Sequence, residues 1–166
     1  KAVKEALTGT AAVTGMIMFI ILGATTFSQI LAFSGATGGL VNIVTEANLS
    51  NTVVIVGMMA ILLFLGLFID QASIMMLTVP LFMPLVKHMN IDTVWFGILF
   101  LMCMQIGLLS PPFGLLLFTM KSVAPPEIRM SEIIRAAVPY MIFGLILTVV
   151  ILFVPGIATW LPRLLQ

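Results

Sequence analysis

Between Glu46 and Lys87 the chain carries a single charge, Asp70, set in the otherwise apolar stretch from Asn51 to Val86. A second uncharged stretch, Thr93 to Met120, is interrupted in its middle by Ser110-Pro111-Pro112-Phe113-Gly114. These two runs constrain the fold more than any other feature. With 61% hydrophobic and 8% charged residues and a mean hydropathy of +1.27, against about 25% charged in soluble domains, the surface must be lipid or other apolar protein. An ionisable group inside such a stretch is costly and marks a functional site by default. A helix broken at membrane depth needs its freed backbone groups satisfied by something buried there.

The remaining composition excludes several classes. A net charge of +1, with no basic patch interleaved with aromatics, leaves no signature of a nucleic-acid partner. Cys103 is the single cysteine and His88 the single histidine, so an intrachain disulfide, a cysteine cluster and bis-histidine haem are ruled out within this sequence. The 13 methionines scatter through apolar runs and read as flexible filler, not a metal box. Lys1-Ala-Val-Lys-Glu-Ala reads as the end of an amphipathic helix begun earlier, so a fragment or a split chain is expected.

Along the chain, residues 8–33 form an uncharged candidate span, long enough for roughly 30 Å of hydrocarbon. Gly9, Gly15, Gly23 and Ala24 allow a neighbouring helix close approach. Thr25, Thr26, Ser28 and Gln29 are expected to pack and bond internally. Residues 34–50 read as a connecting loop with a short interfacial helix. In 51–87, two apolar limbs meet at Gly66-Leu-Phe-Ile-Asp70-Gln-Ala-Ser73, and Pro80 and Pro84 bend the second. They are two full spans joined by a tight turn, or a re-entrant hairpin with its tip inside. The turn has no Lys or Arg to sit in water, which favours the hairpin. Asp70 also has a plain role available, capping the second limb through the Ser73 N–H.

Asn90-Ile-Asp92-Thr93 caps the next helix, which runs to about Leu109. Pro111 and Pro112 cannot donate backbone hydrogen bonds, Ser110 before them is biased to extended backbone, and Gly114 turns freely. A discontinuous helix, 93–109 and 115–121, follows. Gln105 is expected to bond a neighbouring helix. Residues 121–131 form a polar connection, Ser131 caps a last span over 132–154 kinked at Pro139, and Pro155-Gly156 ends it. The domain division is therefore 1–50, 51–87, 88–122 and 123–166. Lys1, Lys4, Lys121, Arg129 and Arg135 fall on one side and Lys87 and Arg163 on the other, which puts the N-terminus in the cytoplasm and the C-terminus outside. Trp95 and Trp160 then share the outer interface.

A broken helix exposes carbonyls that suit a hard cation such as Na⁺. The candidate contributors are backbone groups around Gly107 and Ser110–Pro112 with the tip at Asp70–Ser73. The positive end of the second half-helix, near Gly114, suits an anion.

The block from Gly66 through Asp70, Ser73, Pro80 and Pro84 resembles the pattern G-x-x-x-D-x-x-S…P-x-x-x-P. Asn90-Ile-Asp92-Thr-Val-Trp-Phe-Gly97 and Ile106-Gly107-Leu-Leu-Ser110-Pro111-Pro112-Phe-Gly114 follow in order. The chain is similar to the C-terminal part of the large membrane subunit, the DctM-like permease, of tripartite ATP-independent periplasmic (TRAP) transporters. The resemblance implies an all-α integral membrane fold: one inverted repeat of an elevator-type transporter, with a re-entrant hairpin and a discontinuous helix. It implies a Na⁺-coupled importer of organic anions, not an enzyme, in the bacterial or archaeal inner membrane. The implied partners are a small membrane subunit, a periplasmic substrate-binding protein, the N-terminal half of the same permease and the lipid bilayer. By match to the motif, Gly66, Asp70, Ser73, Gly107, Ser110, Pro111 and Pro112 form a Na⁺ site, and Ser73 and Gly114 face the substrate. Leu116 stands where many members carry Asn, a departure that puts a side-chain contact from that position in doubt. Another elevator-type anion/Na⁺ symporter and a non-transporting membrane scaffold are the alternatives.

Overall fold

A computed structural model describes residues 2–112 and 114–164; Lys1 and Phe113, used in the reading above, lie outside them. The described residues are all helical or connecting, in the order α1 (Ala2–Ser34), α2 (Ala36–Glu46), α3 (Asn51–Gly66), α4 (Gln71–His88), α5 (Thr93–Leu109), α6 (Leu115–Val123), α7 (Met130–Phe153) and α8 (Gly156–Leu164). Two of them, Val3–Ser34 and Met130–Phe153, are long and apolar enough to cross a membrane. α1, with 33 residues, is about 50 Å long at 1.5 Å per residue.

α3, α4 and α5 enclose the core. Ile55 and Leu62 of α3, Ile74, Leu85 and Val86 of α4, and Leu99, Cys103 and Met104 of α5 are buried within it. α3 and α5 are apolar all round, the composition of a helix that meets protein or lipid on every side. α3 and α4 form an antiparallel hairpin. Residues 67–70 join them at one end, and at the other the Asn51 side-chain amide donates to the Met89 carbonyl at 3.2 Å. α5 starts beside that open end and runs parallel to α3, since the last turns of both helices meet at Gly66 and Gly107.

The short connections are set by local chemistry. After α4, Asn90 adopts a left-handed φ of 52°, and its N–H and that of Ile91 donate to the carbonyls of Lys87 and Val86 at 3.1 and 3.0 Å. This paired closure satisfies carbonyls a helix end leaves open. Asp92 then caps α5 as expected, its Oδ1 accepting from Val94 and Trp95 N–H at 2.9 and 3.1 Å. The Trp95 indole N–H donates to the Ile151 carbonyl at 2.8 Å, which ties the start of α5 to the end of α7.

Several boundaries differ from the sequence reading. α1 is continuous from Ala2 instead of starting near residue 8, while the short helix expected within 34–50 is present as α2. α7 begins at Met130 behind Arg129 instead of behind Ser131, because Glu132 Oε2 accepts from the Arg129 N–H at 3.1 Å and closes the first turn one residue pair earlier. The chain after Pro155-Gly156 is not a plain tail but the helix α8.

Candidate functional site

The hairpin turn and the chain break each have a defined geometry. At the turn, Asp70 has extended backbone (φ −68°, ψ 155°) and caps α4. Its Oδ2 accepts from the Ser73 N–H at 2.9 Å, and its Oδ1 accepts from the Ser73 hydroxyl. Both groups are half-buried. The one charge in the stretch therefore has a local partner for each oxygen, and the capping role weighed for it is the one observed.

At the break, Ser110 is extended (φ −86°, ψ 131°), as its position before Pro111 dictates. Its N–H donates to the Gly107 carbonyl at 3.0 Å and its hydroxyl to the Ile106 carbonyl at 2.8 Å. The hydroxyl also lies 3.5 Å from the Met141 sulfur of α7. The Pro111–Pro112 peptide is cis, and both rings are exposed. Gly114 is buried in a left-handed conformation (φ 43°), where a Cβ would meet the Leu117 side chain at 2.7 Å and the Ser110 carbonyl oxygen at 3.3 Å. The left-handed backbone favours glycine there, and any Cβ would also have to displace the Leu117 side chain. α6 starts at the next residue.

The turn and the break are joined through glycine. A Cβ added to Gly66 would lie 2.9 Å from the Gly107 Cα, and one added to Gly107 would lie 2.7 Å from the Gly66 Cα. The end of α3 thus crosses the last turns of α5 with backbone against backbone, four residues before Asp70 and three before Ser110. The last turns are tightened by local donors, Leu67 N–H to the Phe64 carbonyl, Phe68 and Ile69 N–H to that of Leu65, and Ser110 to those of Gly107 and Ile106, and each helix end carries the negative end of the helix dipole. Two such ends converge here.

The structure therefore brings Gly66 to Gly107, Asp70 to Ser73, and Gly114 to Ser110. Among the described residues no hydrogen bond joins Asp70 or Ser73 to Ser110. No group of three or more His, Cys, Asp or Glu able to hold a metal exists among them either. Thr25 and Thr26 both bond the Leu22 carbonyl of their own helix at 2.9 Å, as expected. Gln105 is exposed instead of joined to a neighbouring helix. Sequence reasoning missed Met141 and Gly144 of α7. A Cβ on Gly144 would press Ile106 at 3.2 Å; its only signal was a single glycine in an apolar helix.

Residues 1–157 match the family described as the tripartite ATP-independent periplasmic transporter, DctM component. The chain belongs to that family. It is 31% identical over 154 residues to the sialic acid TRAP transporter permease protein SiaT of Haemophilus influenzae, covering 93% of this chain and 25% of that protein. Over 150 residues it is 31% identical to the C4-dicarboxylate TRAP transporter large permease protein DctM of Pseudomonas aeruginosa, covering 90% and 35%. Over 160 residues it is 27% identical to the sialic acid TRAP transporter large permease protein SiaM of Vibrio cholerae, covering 96% and 37%. The DctM-family chain thus spans between a quarter and little more than a third of these relatives. The family is one of membrane permeases, transporters and not enzymes.

Proposed function

We propose that this chain is the C-terminal part of a large permease that carries half of the transport site of a Na⁺-coupled, binding-protein-dependent importer of organic anions. The observation that supports this most directly is the convergence of the α3 and α5 C-terminal ends at Gly66 and Gly107. Carbonyl oxygens at the negative ends of two helices suit a hard monovalent cation. The backbone of residues 66–69 and 107–110 supplies them. Asp70 and Ser73 shape the tip, with the Ser73 hydroxyl oxygen still able to accept. Pro111 and Pro112 end α5, so that its last carbonyls are not drawn into a continuing helix. The N-terminus of α6 at Gly114 presents N–H groups and a positive dipole end to a carboxylate.

In this reading, 51–87 is a re-entrant hairpin and 88–122 a discontinuous helix, both in the moving part of an elevator-type repeat. The relatives named for sialic acid and C4-dicarboxylates support a carboxylate substrate. A small membrane subunit, a periplasmic binding protein and the N-terminal half of the permease complete the machine. The basic ends of α1, α6 and α7 face the cytoplasm, and the C-terminus lies outside.

Uptake of radiolabelled succinate and sialic acid into proteoliposomes holding the complete permease and its partners tests the proposal. Steep Na⁺ dependence, weakened in Ser73→Ala and Asp70→Asn, is the expected result. Uptake indifferent to Na⁺ and to both substitutions would reduce Asp70 to a helix cap.

A further inference from the structure

The contact at Gly66 and Gly107 differs in kind from the other helix packing. Each added Cβ would strike backbone, including the Gly66 carbonyl carbon at 3.1 Å, and backbone has no alternative rotamer to adopt. Gly57 of α3 and Gly97 of α5 meet nothing within 4 Å. The tight crossing is therefore local to the two residues that precede the tip and the break.

The helices also agree in register away from that point. They run parallel, and one turn back from the glycines stand Leu62 and Cys103, both 0% exposed in the shared core. At the far end the Asn51–Met89 hydrogen bond closes the hairpin. α5 is held in turn by α7 through Met141, Gly144 and Ile151.

We propose that the Gly66–Gly107 contact fastens the hairpin tip and the chain break into one rigid body, so that the hairpin does not swing off α5 as a separate gate during transport. The bare Cα atoms of Gly66 and Gly107 then have a positioning role, setting the spacing of the two helix ends, which is separate from the ion contacts assigned above to the backbone carbonyls. This rests on the transporter reading above.

The test uses the complete permease with its partner subunits in proteoliposomes. Leu62→Cys is oxidised against the native Cys103, and loss of both free thiols is read by mass spectrometry. A disulfide needs Cα atoms about 4.4–6.8 Å apart, so the bond reports whether these two buried positions face each other one turn from the glycine crossing. The bond is expected to form, and uptake of radiolabelled succinate or sialic acid to stay at half or more of the reduced protein's rate. Loss of uptake on oxidation, restored by reductant, would show that the hairpin must part from α5 and would overturn the proposal. Failure of the thiols to pair would overturn the register on which it stands.

A second measurement separates positioning from general damage. Gly66→Ala and Gly107→Ala are expected to raise the KM for anion or the half-saturating Na⁺ concentration about tenfold more than they lower the amount of folded complex. Gly57→Ala and Gly97→Ala stay within about twofold of wild type. Equal effects at all four glycines would overturn the positioning role. Uptake that ignores Na⁺ would defeat the coupling reading and leave the cross-linking result standing.

Discussion

The α3–α5 pair and the α1–α4 pair pack by opposite rules. α3 and α5 meet through glycine backbone at one end and through fully buried Ile55, Leu62, Leu99 and Cys103 along their length. α1 faces α4 in its second half, where half-buried Ala24 and Ser28 share a groove with α4. Between these two helices lies a groove of about 390 Å³ lined by Ile21, Thr25, Ala72, Met75, Met76 and Pro80. Residues 3–19 of α1 are exposed on every side. The comparison separates two uses of apolar sequence. One pair spends it on a fixed geometry beside the tip and the break. The other leaves most of it as surface for lipid or for further protein.

The largest expected effect tests the tight pair. Gly66→Ala or Gly107→Ala places a methyl against backbone, and overpacking of that kind costs about 1–3 kcal/mol. The complete permease should show a clear fall in melting temperature beside its weakened saturation by anion or Na⁺; unchanged melting would mean that the helices part freely. Next comes the cap between them. Asp70→Ala removes both acceptors of Ser73 and should cost about 0.5–2 kcal/mol, seen as faster hydrogen exchange in the first turn of α4. Trp95→Phe loses one bond to Ile151, worth about 1 kcal/mol, and should loosen α7 from α5 without touching the tip. The smallest effect belongs to the loose pair. Ala24→Leu fills the α1–α4 groove and should shift stability by no more than about 0.5 kcal/mol. A loss as large as that at Gly66 would erase the contrast between the two pairs.

Much of this was legible in the residues. The proline pair dictated the end of α5, Gly114 the turn into α6, and Asp92 the start of α5. Each acts within one or two turns of chain, where sterics and capping decide. The motif order also carried the family. The Asn90 closure was missed because asparagine serves both helix starts and helix ends, and the run Asn90–Thr93 was read only as the cap of α5. The α7 start was displaced because Arg129 lacks the side chain of a usual cap, while Glu132 supplied the reciprocal bond. Gly66 and Gly107 were singled out through resemblance; nothing in their separate surroundings said that they face each other.

The sequence by itself determined that this chain is apolar enough for a membrane, where its helices break, and which charge stands alone among them. Those are properties of neighbouring residues and of transfer between water and hydrocarbon. Only the tertiary structure decided that α3 and α5 run parallel, that Gly66 and Gly107 touch, and that Ser110 turns towards Met141. Such contacts join positions some 30–40 residues apart, and no local preference encodes them. The tightest of them, Gly66 against Gly107, needs both crossing positions to lack a Cβ, since either methyl would strike the other helix's backbone.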